Sequence, residues 1–284
     1  MIMFNTSLSQ AVESFTSLMV PLSDKDQERP WTWKDHDEEG IRFSFFVTLQ
    51  ELRQLAVTLA ALRTPPTQAQ HILSQYHAAY MDLQAALLGV SAIDAERTPG
   101  EGEWPVQKTY AHILSAELNF TITIRFALEK HRADTWTPEK PSDDESDRLA
   151  GITDEEYLTL IKKPLAVMQA YHDDLHRVIL GEFSSITDRE LELPSTFWEE
   201  TRFPVRHRLH RYEAHFVQHT VQIDKTLIAI GKTPTESNRL LRRVYAALAE
   251  AEGMMIGAES MDDAAILATA SSISKRTKEI RNMF

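Results

Sequence analysis

Apolar residues recur three and four positions apart through most of the chain, and strand-like alternation is scarce, so the pattern predicts an all-α protein. A short helix is expected over residues 8–20. A longer one follows over 41–63, carried by Leu49, Leu52, Leu55, Leu59 and Leu62, and it stops at Pro65-Pro66, which cannot continue it. Residues 67–89 place Ile72, Tyr76, Tyr80, Leu83 and Leu87 on one stripe. Pro105 then opens a helix to about residue 132, apolar at Val106, Tyr110, Ile113, Phe120, Ile124 and Leu128.

Residues 133–152, rich in Pro, Ser and Asp, read as the longest loop. Thr153 and Glu156 form a capping box that starts a helix to about residue 183, with a kink expected at Pro164. Residues 188–201 connect, with Phe197 and Trp198 expected to cover the bundle end. The helix over 204–231 is bounded by Pro204 and Gly231, and with Phe216, Val217, Ile223, Leu227 and Ile230 forming apolar faces it is expected to be buried nearly all round. Thr233, Pro234 and Glu236 predict a further capping box ahead of a helix to Gly253. A last helix over 261–282 places Lys275, Arg276, Lys278 and Arg281 near its end, where they complement its dipole. Trp31 and Trp33 stand among charges, as in an arm that buries its rings against a body; a lid over a site is the rarer alternative.

This pattern divides the chain into an N-terminal arm and added helix (1–66), a four-helix bundle (67–231) and a C-terminal helical extension packed on it (232–284). The length of 284 residues and an apolar share of 43% are enough for a large core. The chain has no cysteine, which excludes disulfides, thiolate metal sites, Fe–S clusters and cysteine nucleophiles. Any metal must be held by His, Asp or Glu. A formal net charge of -12 argues against nucleic-acid binding by phosphate neutralisation. With no secretory or membrane segment visible, no membrane partner and a cytoplasmic location are expected.

The chemistry that the pattern suggests lies in 204–231, where His215 and His219 are one turn apart and share a face. Gln222 and Thr226 continue their stripe. Such a pair is half of a metal site, or equally two core histidines bonded to carbonyls. His112 lies beside the apolar stripe of its own helix with small Ala116 one turn on, which leaves room for another group to approach the ring. Glu117 lies about 140° around that helix from His112 and reads as a core hydrogen-bond partner. A second pair, His172 and His176, reads as exposed or carbonyl-bonded. Bundles place metal sites between facing helices, and a catalytic zinc needs three protein ligands with one place open.

Three features together resemble the DinB/YfiT-like family of helical-bundle metal proteins. They are the stretch EWPVQKTYAHILSAE, the stretch HFVQHTVQI, and the order and distance between them. The resemblance covers about residues 67–231 and implies an antiparallel four-helix bundle with a divalent transition metal, zinc, nickel or similar, bound by His112, His215 and His219. Some members are S-transferases or isomerases that use small thiols, which implies a low-molecular-weight thiol as a second cofactor. Gln218 and Thr220-Val221 depart from the commoner pattern and leave the ligands intact.

The function expected is therefore a metal-dependent enzyme, either a small-thiol S-transferase or a hydrolase, acting on a small-molecule substrate. Phe216 stands where an HExxH protease carries its glutamate base, which disfavours that mechanism. Arg202, Arg206, His207, Arg208, His210 and Arg211 form a local basic cluster able to attract an anion. Arg208 and Tyr212, two turns and one turn before His215, are the expected substrate-binding members. A solvated cluster paired with Glu199, Glu200 and Glu213 competes with that account. The alternative function is a non-catalytic binding or stress-response scaffold with structural histidines, its added terminal helices forming a homodimer interface.

Overall fold

The computed structural model describes residues 6–137, 139–197 and 201–284, which form twelve α-helices and one two-stranded ribbon. The first five helices are α1 (Thr6–Met19), α2 (Asp24–Gln27), α3 (Phe43–Leu62), α4 (Gln68–Ala86) and α5 (Ala92–Glu96). Next come α6 (Val106–Arg132), α7 (Asp143–Ala150), α8 (Asp154–Leu160) and α9 (Leu165–Phe183). The ribbon pairs β1 (Pro194–Ser195) with β2 (Phe203–Pro204), and α10 (Val205–Ala229), α11 (Glu236–Gly253) and α12 (Asp263–Arg281) complete the chain.

Four expectations need correction. Residues 133–152 contain α7, started by a capping box of Ser142 with Glu145 and stopped at Gly151 in the left-handed region, φ 72°. Pro164 breaks its helix instead of kinking it. It has no N–H for an interior position, so α8 stops at Leu160 and Pro164 becomes the N-cap of α9. The segment before α10 is tied down by the ribbon, not simply a connection. The last box falls two residues later than expected: Thr235 caps α11 with Asn238, while Glu236 pairs with Arg42 at 2.7 Å. Trp198, Glu199 and Glu200 lie outside the described residues.

The chain divides into two compact units, one comprising Pro66–Tyr80 with Val90–Lys232, the other Ile2–Pro65 with Met81–Gly89 and Thr233–Phe284. In the first unit α6 and α10 are antiparallel, since His112 meets His215 and Thr121 meets Tyr212. α4 and α9 are also antiparallel, joined by Gln70 to Ser184 and Tyr80 to Asp173. α6 and α9, by contrast, run parallel, with Tyr110 on His172 and Arg125 on Glu182. The order is up-down-down-up, because α7 and α8 carry the chain back along α6 before α9 begins. Lys130 on Glu145 and Tyr157 on the Ala111 carbonyl mark the two ends of that return. Leu73, Ile113, Leu114, Ile179, Leu209 and Ile223 are buried in this unit.

The second unit joins the two chain ends that the sequence suggested as separate additions. α3 packs along α11 in parallel, tied by Arg53 to Glu250 and by Arg63 to the Ile256 carbonyl. α3 and α12 are antiparallel, with Thr48 on Arg276 and Glu51 on Ser272. α1 and α12 are parallel, with Ser14 on Arg281. This is a second up-down-down-up set, interrupted in sequence between its second and third long helices by the first unit. Trp31 and Trp33 are buried here and stack at 5.7 Å between centroids, as an arm burying its rings requires. Among the described helices, the stretch Gly40–Leu62 is long and apolar enough to match a membrane span; its buried face is taken up by α11 and α12.

Candidate metal centre

α6 and α10 are held face to face by apolar burial of Val106, Ile113, Leu209 and Phe216, and this brings three imidazoles to one place. His112 Nε2 and His215 Nε2 are 3.2 Å apart. Ring centroids are 4.8 Å apart for His112 and His219 and 4.3 Å for His215 and His219. One ring nitrogen from each lies within 4.8 Å of the others, so the three form a group able to hold a metal ion. Nitrogens bound to one tetrahedral zinc at about 2.0–2.1 Å stand roughly 3.4 Å apart, so small side-chain movements would suffice.

The chemistry of the donors also fits a cation. Gln222 Oε1 lies 2.8 Å from His219 Nδ1, which places the ring proton there and turns the Nε2 lone pair toward the other rings. Burial, with His219, His112 and Arg211 nearby, lowers the pKa of His215 to about 3, and burial with His219 lowers that of His112. The three imidazoles therefore bring ring nitrogens to one point, and one shared proton cannot satisfy them all. His215 Nδ1 is buried without a hydrogen-bond partner among the described residues.

Beside the rings lies a cavity of about 510 Å³, lined on one side by Ser115, Ala116, Asn119 and Phe120 of α6. Its other walls include Phe197, Phe203, His207, Arg208 and Arg211, with His112 and His215 on its surface. The ribbon builds this wall. Ser195 Oγ accepts from Arg208 Nε at 3.1 Å, and Phe203 stacks on His207 at 4.2 Å. Trp104, just ahead of α6, meets the His112 ring edge-on at 5.4 Å.

Of the two expected substrate-binding residues, Arg208 lines the cavity, although it is almost wholly buried and held by Ser195. Tyr212 does not line it. It is fully buried beneath the site, its hydroxyl 2.7 Å from that of Thr121, and burial raises its pKa well above the usual tyrosine range. Its spacing from His215 was suitable, but an i−3 residue turns further into the core than an i−4 residue does. The signal passed over was the strict four-residue row His207, Arg211, His215 and His219, which follows one ridge of α10.

His172 and His176 are not exposed, nor are they carbonyl-bonded. Both are buried and engage side chains: His172 Nδ1 with the Tyr110 hydroxyl at 2.7 Å, and His176 Nε2 with His77 Nδ1 at 2.9 Å. Glu117 stays out of the metal group, as its angular position predicted. It is fully buried, accepts from the Tyr76 hydroxyl, and brings Oε2 within 2.5 Å of His172 Nε2, off the line of a good hydrogen bond. Burial, with His77 and His172 nearby, holds the His176 pKa well below the ordinary value.

An up-down-down-up bundle with three converging histidines on its second and fourth helices is the architecture of a metal-binding helical bundle. The chain belongs to the DinB superfamily, which matches residues 75–223, just over half of the chain and all three histidines. Proteins of this family often bind metal. No curated protein and no solved structure matches the chain.

Proposed function

We propose that the protein is a divalent-metal-dependent enzyme acting on a small molecule in the cavity beside His112 and His215, with a low-molecular-weight thiol as co-substrate. The observation that carries this reading is the convergence of three imidazoles, two of which, His112 and His215, line a cavity of about 510 Å³. A zinc, nickel or similar ion on these nitrogens supplies a Lewis acid that favours the deprotonated form of a further ligand. The chain's own part is to orient and to exclude water. Gln222 fixes the His219 ring, Trp104 shields the edge of His112, and Phe120, Phe197 and Phe203 give the cavity apolar walls. Arg208, anchored by Ser195, adds a fixed positive charge.

Two features bear on thiol transfer against hydrolysis. The chain has no cysteine, which is compatible with thiol transfer and requires the thiol to come from a small molecule. No Asp or Glu lines the cavity among the described residues, and the position of a glutamate base in the helix motif is occupied by buried Phe216.

The test is elemental analysis of purified protein combined with a thiol-dependent turnover screen. Stoichiometric transition metal that is lost in His215→Ala, with turnover dependent on an added thiol, supports the reading. Metal-bound protein that hydrolyses esters without a thiol would shift it to a hydrolase. Metal-free protein whose stability is unchanged by His215→Ala would leave the non-catalytic scaffold.

A further inference from the structure

We infer that the cavity takes a small carboxylic acid with an aryl-sized apolar body, and that Arg211 selects for its charge. This rests on the reading above for the direction in which the ligand faces, and not for its binding.

Arg211 lies four residues before His215, so both project from one ridge of α10, about 6 Å apart along the axis, and both line the cavity. Its guanidinium is 5.9 Å from the Phe120 ring, and it makes no ion pair or hydrogen bond among the described residues. Its neighbours differ. Arg206 is paired with Glu192 and, at 2.5 Å, with Gln68; Arg208 is buried on Ser195 with its charge over the Phe197 and Phe203 rings. Arg202 lies over Trp136 at 5.4 Å. Arg211 therefore keeps its donors for a ligand, at a half-buried position where a bidentate carboxylate is bound more strongly than in open water.

The rest of the lining specifies the remainder of the ligand. Phe120, Phe197 and Phe203 present aromatic surface for a flat apolar body, and no carboxylate among the described lining residues would repel an anion. The volume of about 510 Å³ lies within the usual range for small-molecule sites. A single available guanidinium matches one carboxylate. The short axial distance to His215 places the reacting end of the ligand only a few bonds from that carboxylate.

The experiment compares 3-phenylpropionate with the uncharged 3-phenylpropanamide by titration calorimetry. It uses full-length protein, both chelator-treated and zinc-loaded, as wild type, Arg211→Met and Arg211→Lys, with thermal melts to confirm folding. The acid should bind wild type at least about tenfold more tightly than the amide, the gap expected for a charge-assisted bond. Arg211→Met should remove that preference and Arg211→Lys should keep part of it. Equal binding of acid and amide to wild type, acid binding unchanged in Arg211→Met, or no binding of either probe would overturn the inference. Arg211-dependent acid binding by chelator-treated protein that never takes up metal would sink the metal reading and keep this one. Stoichiometric metal without acid preference would do the reverse.

Discussion

α6 with α10 and α3 with α12 are the second and fourth long helices of their own bundles, antiparallel in each case, yet they finish their buried polar clusters in opposite ways. In the second unit Arg276 is fully buried and donates to Glu51 at 2.8 Å and Thr48 at 3.0 Å, while Ser272 donates to Glu51 at 2.9 Å. Ser272 and Arg276 are four residues apart on α12, as His215 and His219 are on α10. Trp33 covers the guanidinium at 5.0 Å from the ring centre. That cluster carries its own positive charge and its own counter-charge. Among the described residues the histidine cluster includes no carboxylate, and its ring nitrogens face one another beside a cavity. The same helical frame thus supports a closed structural ion pair in one unit and a histidine group able to hold a metal ion in the other.

The comparison breaks most sharply at the histidines. His215→Ala should abolish stoichiometric metal uptake, because one of three ligands carries a large share of the roughly 10–16 kcal/mol that structural zinc sites can gain. Chelator competition measures this, and full metal content in the variant would remove the distinction between the units. Next in size, Glu51→Ala should destabilise the protein by about 3 kcal/mol, since it strands the Arg276 charge, while metal content stays as in wild type. Replacing both, Glu51→Leu with Arg276→Met, should recover most of that loss. A double variant as unstable as the single one in urea unfolding would show that the pair does more than neutralise itself.

Gln222→Leu should weaken metal binding about 10–100-fold without unfolding the chain, because the His219 proton is then free to move to the ligating nitrogen. Unchanged affinity would mean that Gln222 does not set the tautomer. The smallest effect is that of pH. The pKa of His215 falls from 6.5 to about 3 on folding and that of His176 is also held well below 6.5, so the unfolded chain binds protons there that the folded chain refuses. Stability from these groups is complete above pH 6.5 and is lost as pH falls through the window beneath it, by up to about 1.4 kcal/mol per pH unit per histidine. Melting temperatures of metal-free protein between pH 7 and 5.5 should fall with acidification, and less steeply in His215→Ala.

Much of this was legible before any fold was known. Pro105, Pro204, Gly231 and the capping box of Thr153 with Glu156 mark helix ends because they act through local backbone geometry and a hydrogen bond three residues away. The box of Ser142 with Glu145 has the same signature, but it sits in a stretch whose composition resembles a loop. The i, i+4 spacing of His215 and His219 was readable for the same local reason. The status of His172 and His176 was not. Their partners Tyr110 and His77 lie on other helices, 62 and 99 residues away in sequence. Arg208 and Arg211 are equally basic in sequence, and it is the fold that anchors the first on the ribbon residue Ser195.

Sequence alone determined the all-helical class, most helix limits, the exclusion of thiolate chemistry and the i, i+4 histidine pair, because each depends on composition or on residues within a turn of one another. Tertiary structure decided which helices run parallel, that the two chain ends form one unit, that His112 reaches the other two rings, and that Tyr212 lies in the core. Those outcomes depend on how apolar faces distant in the chain choose their partners, and periodicity shows that a face is apolar without showing what will cover it.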